Sequence, residues 1–183
     1  HAYKNMYAHR NLGTIFTGAA LIVAATQAKS NFTLTFLPAL AILSMVQYRK
    51  LKNLNWLYII FGLGIPALTT LAAQYYITFT GDRVDSLIFA PFKALLLFVP
   101  NIGVLLLFIL LSILFPLAVT LLYWEETRRN LRLQLAWINF LVALLLAILF
   151  TQVINMASLN FWWGPMIAVF ILFVESIKEA GTA

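Results

Sequence analysis

The sequence contains no cysteine, which excludes disulfides and thiolate-held metals. Charge is scarce as well: Asp, Glu, Lys and Arg make up 10% of its 183 residues, against roughly 25% in an ordinary soluble domain. The two histidines, His1 and His9, both lie in the N-terminal tail, so a histidine metal site is not expected. There is no Gly-rich phosphate loop, no HExxH and no GxSxG. Nothing alternates apolar and polar with period two over ten residues, which argues against a transmembrane barrel. No Arg-rich face is interleaved with aromatics, so the net charge of +6 does not point to nucleic acid. Residues 1–10 are polar and mixed, with no signal peptide visible. The first residue is His1 rather than Met, as expected of a processed chain or of part of a longer one.

What remains is overwhelmingly apolar: 63% hydrophobic, with mean hydropathy +0.93. A soluble fold of this size has too little interior to hide that much apolar surface, so lipid is the expected solvent. Six stretches approach the ~20 residues that cross a bilayer. They run from about Leu12 to Ala28, Phe32 to Tyr48, Leu54 to Phe79, Val99 to Trp124, Leu135 to Ile154 and Phe161 to Val174. Without water to satisfy backbone groups, helices are the expected form. The predicted fold is an all-α polytopic bundle in one transmembrane domain, 1–183, with about six spans and one outer interfacial helix.

The basic residues sort by side. Lys4, Arg10, Arg49, Lys50, Lys52, Arg128, Arg129, Arg132 and Lys178 fall on one side of such a bundle, and Lys29, Arg83 and Lys93 on the other. The positive-inside rule puts the larger set, and both termini, in the cytoplasm. The expected location is a bacterial inner (plasma) membrane. Residues 80–86 read as a polar outer turn. Residues 87–98, with Pro91 and Lys93 among apolar residues, read as a helix lying on the outer leaflet, a re-entrant segment being the competing reading.

No charged residue falls at the centre of a span, which argues against a proton relay, a pump or a voltage sensor. The outer face carries the polar set worth weighing: Lys29, Asn31, Asp82, Arg83, Asp85, Lys93, Asn101, Gln152, Asn155, Asn160, Trp162 and Trp163. Lys29 and Lys93 are placed where an ammonium meets a lipid phosphate. Trp162 or Trp163 can stack on a sugar or head group. Asp82 or Asp85 can act as a base or hold a divalent cation. Each has a plainer reading: snorkelling lysines, an aromatic belt, a solvated Asp-Arg-x-Asp turn, and a Gln152 that bonds a neighbouring helix.

Several segments resemble bacterial polytopic glycosyltransferases of the GT-C type. They are Ala28-Lys29-Ser30-Asn31-Phe32 through Phe36-Leu37-Pro38-Ala39-Leu40, Pro66 through Gln74-Tyr75, Phe89-Ala90-Pro91-Phe92, Ser112 through Leu117, and Asn160-Phe161-Trp162-Trp163-Gly164. Gln152 stands where members often have Glu, and Leu159 where they often have Gly. The first outer loop, Lys29-Ser30-Asn31, lacks the acid that members usually carry in theirs. The resemblance implies the C-terminal part of such a protein, with a polyprenyl-phosphate-linked sugar handled at the outer face. Lys29 and Lys93, with Arg83, Gln152 and Asn160, would then serve the lipid phosphate and substrate. Trp162 or Trp163 would meet the sugar, and Asp82 or Asp85 would be the available acids. Two rival expectations stand beside it: a non-catalytic subunit packed against other membrane subunits, and a small-solute transporter subunit.

Overall fold

The computed structural model describes residues 12–47, 55–79, 86–153 and 156–181. Helices α1 (Leu12–Ala28) and α2 (Ser30–Gln47) are followed by a wide π-helical stretch, Tyr58–Gly64, that runs directly into α3 (Ile65–Phe79). Strand β1 (Leu87–Phe89) and a 3-10 turn (Leu95–Leu97) precede α4 (Ile102–Leu122) and the single turn α5 (Trp124–Thr127). Then come α6 (Leu131–Leu149), β2 (Phe150–Gln152), 3-10 turns at Met156–Ser158 and Asn160–Trp162, and α7 (Trp163–Ala180).

The protein is an all-α helical bundle, as the sequence predicts. Five helices among the described residues are long and apolar enough to cross a membrane: Ser30–Gln47, Tyr58–Ile77, Ile102–Leu122, Leu131–Leu149 and Asn160–Ala180. That is the character of a multi-pass integral membrane protein. The sixth expected span, α1, has 17 residues, a rise of about 26 Å at the lower limit for crossing.

Two expectations are corrected. Residues 87–98 do not form an interfacial helix: Leu87–Phe89 is a strand, and only Leu95–Leu97 makes a helical turn. The fifth span does not continue to Ile154 but stops at Leu149 and turns into β2. One physical cause lies behind both. The last carbonyls of a helix have no intrahelical donor, and here the 87–92 segment supplies donors. Ala90 N–H donates to Leu149 O at 3.0 Å, and Phe92 N–H to Ile148 O at 2.8 Å. Phe92 reaches its acceptor with φ of 63°.

The fold divides into two compact units, residues 1–84 and 85–183. In the first, α1 and α2 are separated by Lys29 alone. Thr26 and Thr33, both fully buried, share a hydrogen bond of 2.9 Å across that break. From α3, Gln74 Nε2 donates to Thr26 O and to Gln27 Oε1, each at 3.1 Å, which satisfies one orphan carbonyl of α1. Further along α1 the contact depends on glycine. A Cβ on Gly18 would sit 2.8 Å from Tyr58 Cε2, and one on Gly62 would sit 3.1 Å from Tyr58 Cδ2 and 3.4 Å from Ile15 O. The two glycines leave room for the buried Tyr58 ring, as small residues commonly do between membrane helices.

In the second unit, α6 and α7 pack through Leu133, Ala136, Phe140, Ala143, Ala168 and Leu172. The alanines let the backbones approach, and Ile109 and Ile113 of α4 close the cluster. Trp137 Nε1–H donates to Thr120 Oγ1 at 2.9 Å, tying α6 to α4. Phe115 of α4 stacks on Phe173 of α7 at 5.5 Å. Asn130 caps α6, accepting from Arg132 N–H and Leu133 N–H, and its amide donates to Glu179 of α7.

Gly18→Ala is expected to lower stability by about 1–3 kcal/mol, the usual cost of overpacking a fitted site. Thermal unfolding in detergent reads it. Adding Tyr58→Leu to Gly18→Ala should recover part of the loss, because the shorter side chain vacates the space. A Gly18→Ala protein as stable as the parent would contradict the packing described.

Candidate functional site

Three of the residues that the sequence singles out, Gln152, Asn160 and Trp162, gather at one end of the second unit. Strand β2 pairs antiparallel with β1 in the register Leu87–Gln152, Ile88–Thr151 and Phe89–Phe150, and Val153 N–H extends the ladder to Ser86 O at 3.0 Å. Phe89 and Phe150 meet edge to face at 5.9 Å. The strand pair holds Gln152 beside the turn that opens α7, where Asn160 Nδ2–H donates to Gln152 Oε1. Thr151, Gln152, Leu159, Asn160 and Trp162 line one cleft, closed on the other side by Ala94 and Leu95. It is tight: its space of about 10 Å³ is what a single water occupies.

The turn has an unusual backbone. Leu159 sits at φ 48°, ψ 41°, the left-handed region that disfavours side chains with a Cβ. This conformation lets Trp162 N–H close onto Leu159 O at 2.8 Å and sets Asn160–Trp162 as a 3-10 turn ahead of α7. A positive φ of this kind is what glycine adopts most easily, and here a leucine holds it.

The structure brings together three of the residues predicted from sequence: Gln152, Asn160 and Trp162. Lys93 is exposed and directly precedes Ala94 of the cleft wall. Trp163 is 44% exposed at the start of α7. Asn101 turns out to be the cap of α4, accepting from Val104 N–H at 3.0 Å. Lys29 belongs to the first unit, at the α1–α2 break, where Lys29 N–H donates to Ala25 O at 2.9 Å. Asp82, Arg83, Asp85 and Asn155 lie outside the described residues. Among the described residues no cluster of three or more His, Asp or Glu is placed to hold a metal, and no carboxylate lines the cleft.

Sequence reasoning missed Thr151, Ala94 and Leu95 as cleft residues. The available signal was local. Phe150-Thr151-Gln152-Val153 is β-branched and aromatic after a Leu-rich helix, a composition that favours strand.

A second cavity, of about 260 Å³, lies within the same unit between α4, α6 and α7. Its lining is apolar apart from Ser112 and the indole of Trp162, and the Ser112 hydroxyl already donates to Ile109 O at 2.8 Å. Trp162 therefore lines both the polar cleft and the apolar cavity.

Comparison with protein-family models, with curated proteins and with solved structures finds no match to the chain.

The left-handed turn gives a test that holds side-chain volume constant. Leu159→Ile is expected to cost about 1 kcal/mol, because a β-branched residue is more strained at this φ. Leu159→Met should be nearly neutral. Denaturation midpoints of the two variants, compared side by side, decide it; equal midpoints would contradict the strained turn.

Proposed function

We propose that the protein binds the polar head of a phosphate- or sugar-bearing lipid at the cleft formed by Gln152, Asn160 and Trp162. The single observation that carries this reading is the meeting of those three residues beside the exposed Lys93. Asn160 and Gln152 offer amide groups for hydroxyl or phosphoryl oxygens. The ammonium of Lys93 supplies charge where an anionic head group would lie. The cleft has room for one oxygen-sized group, so the remainder of a head group would rest outside it, with Trp163 offering an aromatic face.

The resemblance to GT-C glycosyltransferases makes a polyprenyl-phosphate-linked sugar the specific candidate. In that reading the cleft residues bind and orient the donor. Sugar transfer breaks the glycosyl–phosphate bond and needs a base to take the acceptor's proton. Asp82 and Asp85 are the acids that the sequence places on this face. A second reading, a non-catalytic lipid-binding subunit of a larger assembly, is favoured by the purely neutral lining of the cleft.

Native mass spectrometry of the protein purified in the presence of a polyprenyl phosphate tests the proposal. Lys93→Gln is expected to reduce retained lipid about fivefold, the effect of losing one basic residue near an anionic head. Asn160→Ala should reduce it as well. Unchanged retention in both variants would end the reading. A stoichiometric membrane partner in the same spectra would favour the subunit reading over the enzyme.

A further inference from the structure

We propose that the apolar cavity between α4, α6 and α7 seats the hydrocarbon chain of the same lipid whose head occupies the cleft. This rests on the reading above. Three features lead to it. The cavity lies among helices long and apolar enough to span a membrane, so chains rather than water are what surround it. Its walls, including Ile109, Phe140, Leu144 and Val169, are hydrocarbon. Its one hydroxyl, on Ser112, is already spent on the helix backbone. Apart from the indole N–H of Trp162, nothing in that lining recognises a polar solute.

A wall shared with the polar cleft points to the occupant. Trp162 is common to the two lining sets. Among the described residues none accepts from its indole N–H, which leaves a donor free between the head side and the chain side. A lipid with its head oxygen at Gln152 and Asn160 and its chain behind Trp162 satisfies both regions with one molecule. The volume sets the length of chain. An apolar cavity of ~150 Å³ holds a six-carbon ring, so 260 Å³ takes about ten carbons by the same scale. Because surrounding lipid is as apolar as the cavity, the chain gains packing rather than hydrophobic transfer, and fit discriminates.

The test uses the full chain in nanodiscs with two photoactivatable lipids at equal mole fraction. One is a lipid phosphate and the other a phosphatidylcholine, each with a diazirine near the end of its chain. Crosslinked peptides are mapped by mass spectrometry. The expected result is that the lipid phosphate labels Ile109, Leu144 and Val169 at least fivefold more than phosphatidylcholine does. Leu111, Leu114 and Phe170, which are 56%, 53% and 68% exposed on the same helices, should label equally from both lipids. Val169→Phe should abolish the cavity label, and Ser112→Leu, filling from the α4 side, provides an independent variant. Equal cavity labelling by both lipids would mean that any bilayer chain enters and would overturn the proposal. Labelling confined to Leu111, Leu114 and Phe170 would overturn it too. Retention of the polyprenyl phosphate by the same variants, measured separately, shows whether head binding survives when the chain seat is lost.

Discussion

The backbone at the end of α6 is the constraint on which the second unit depends. A helix that stops at a membrane boundary leaves carbonyls without donors, and lipid supplies none. Ala90 and Phe92 provide two N–H donors to Leu149 and Ile148, and the chain on both sides then continues as a short antiparallel ladder. Once those bonds are made, much else is fixed. Phe92 must adopt a left-handed φ, and Lys93 follows it directly. Ala94 and Leu95 become a wall facing the turn before α7. Gln152, at the end of the ladder, is presented to Asn160. The polar cleft is a by-product of finishing a helix where water is scarce.

The packing beneath the cleft follows a different rule. Between α6 and α7 the contact is made by alanines alternating with Leu133, Phe140 and Leu172. In lipid, apolar surface alone does not hold helices together, so close backbone approach and a few interhelical hydrogen bonds must. The Trp137–Thr120 bond is one of these. The first unit solves the same problem with Gly18 and Gly62 around Tyr58, and with threonine and glutamine at the α1–α2 break. Where α4 is not engaged by its neighbours, bulky side chains cover it; the cavity near Ser112 is where that coverage is interrupted.

Much of the fold was legible in the sequence because runs of apolar residues of spanning length have few alternatives. The apolar runs over Phe32–Tyr48 and Val99–Trp124 became α2 and α4 with ends moved by a few residues. The misreadings fall where local pattern and long-range pairing disagree. Residues 87–98 are apolar enough for an interfacial helix, yet the backbone donors of Ala90 and Phe92 are claimed by Leu149 and Ile148 of α6, far along the chain. No local periodicity could reveal that, since three-residue strands are too short to alternate visibly. The candidate site was legible in part. Gln152, Asn160 and Trp162 stood out as polar or amphipathic groups at span ends, and the strand pair that joins them did not. Asn101 looked like a site residue because a helix cap and a binding side chain use the same chemistry. The left-handed Leu159 gave no sign of itself, since leucine does not advertise a positive φ as glycine does.

The central claim is that the β1–β2 end of the second unit lies at the lipid–water boundary while α4 and α6 lie in hydrocarbon. The cysteine-free sequence makes single-cysteine labelling direct. Lys93→Cys, Leu111→Cys and Leu145→Cys are each exposed to a charged, water-soluble maleimide in open membrane sheets, where both faces are reachable. The account predicts rapid labelling at Lys93→Cys and almost none at Leu111→Cys or Leu145→Cys, which only an apolar maleimide should reach. Labelling of all three at the same rate by the charged reagent would contradict it.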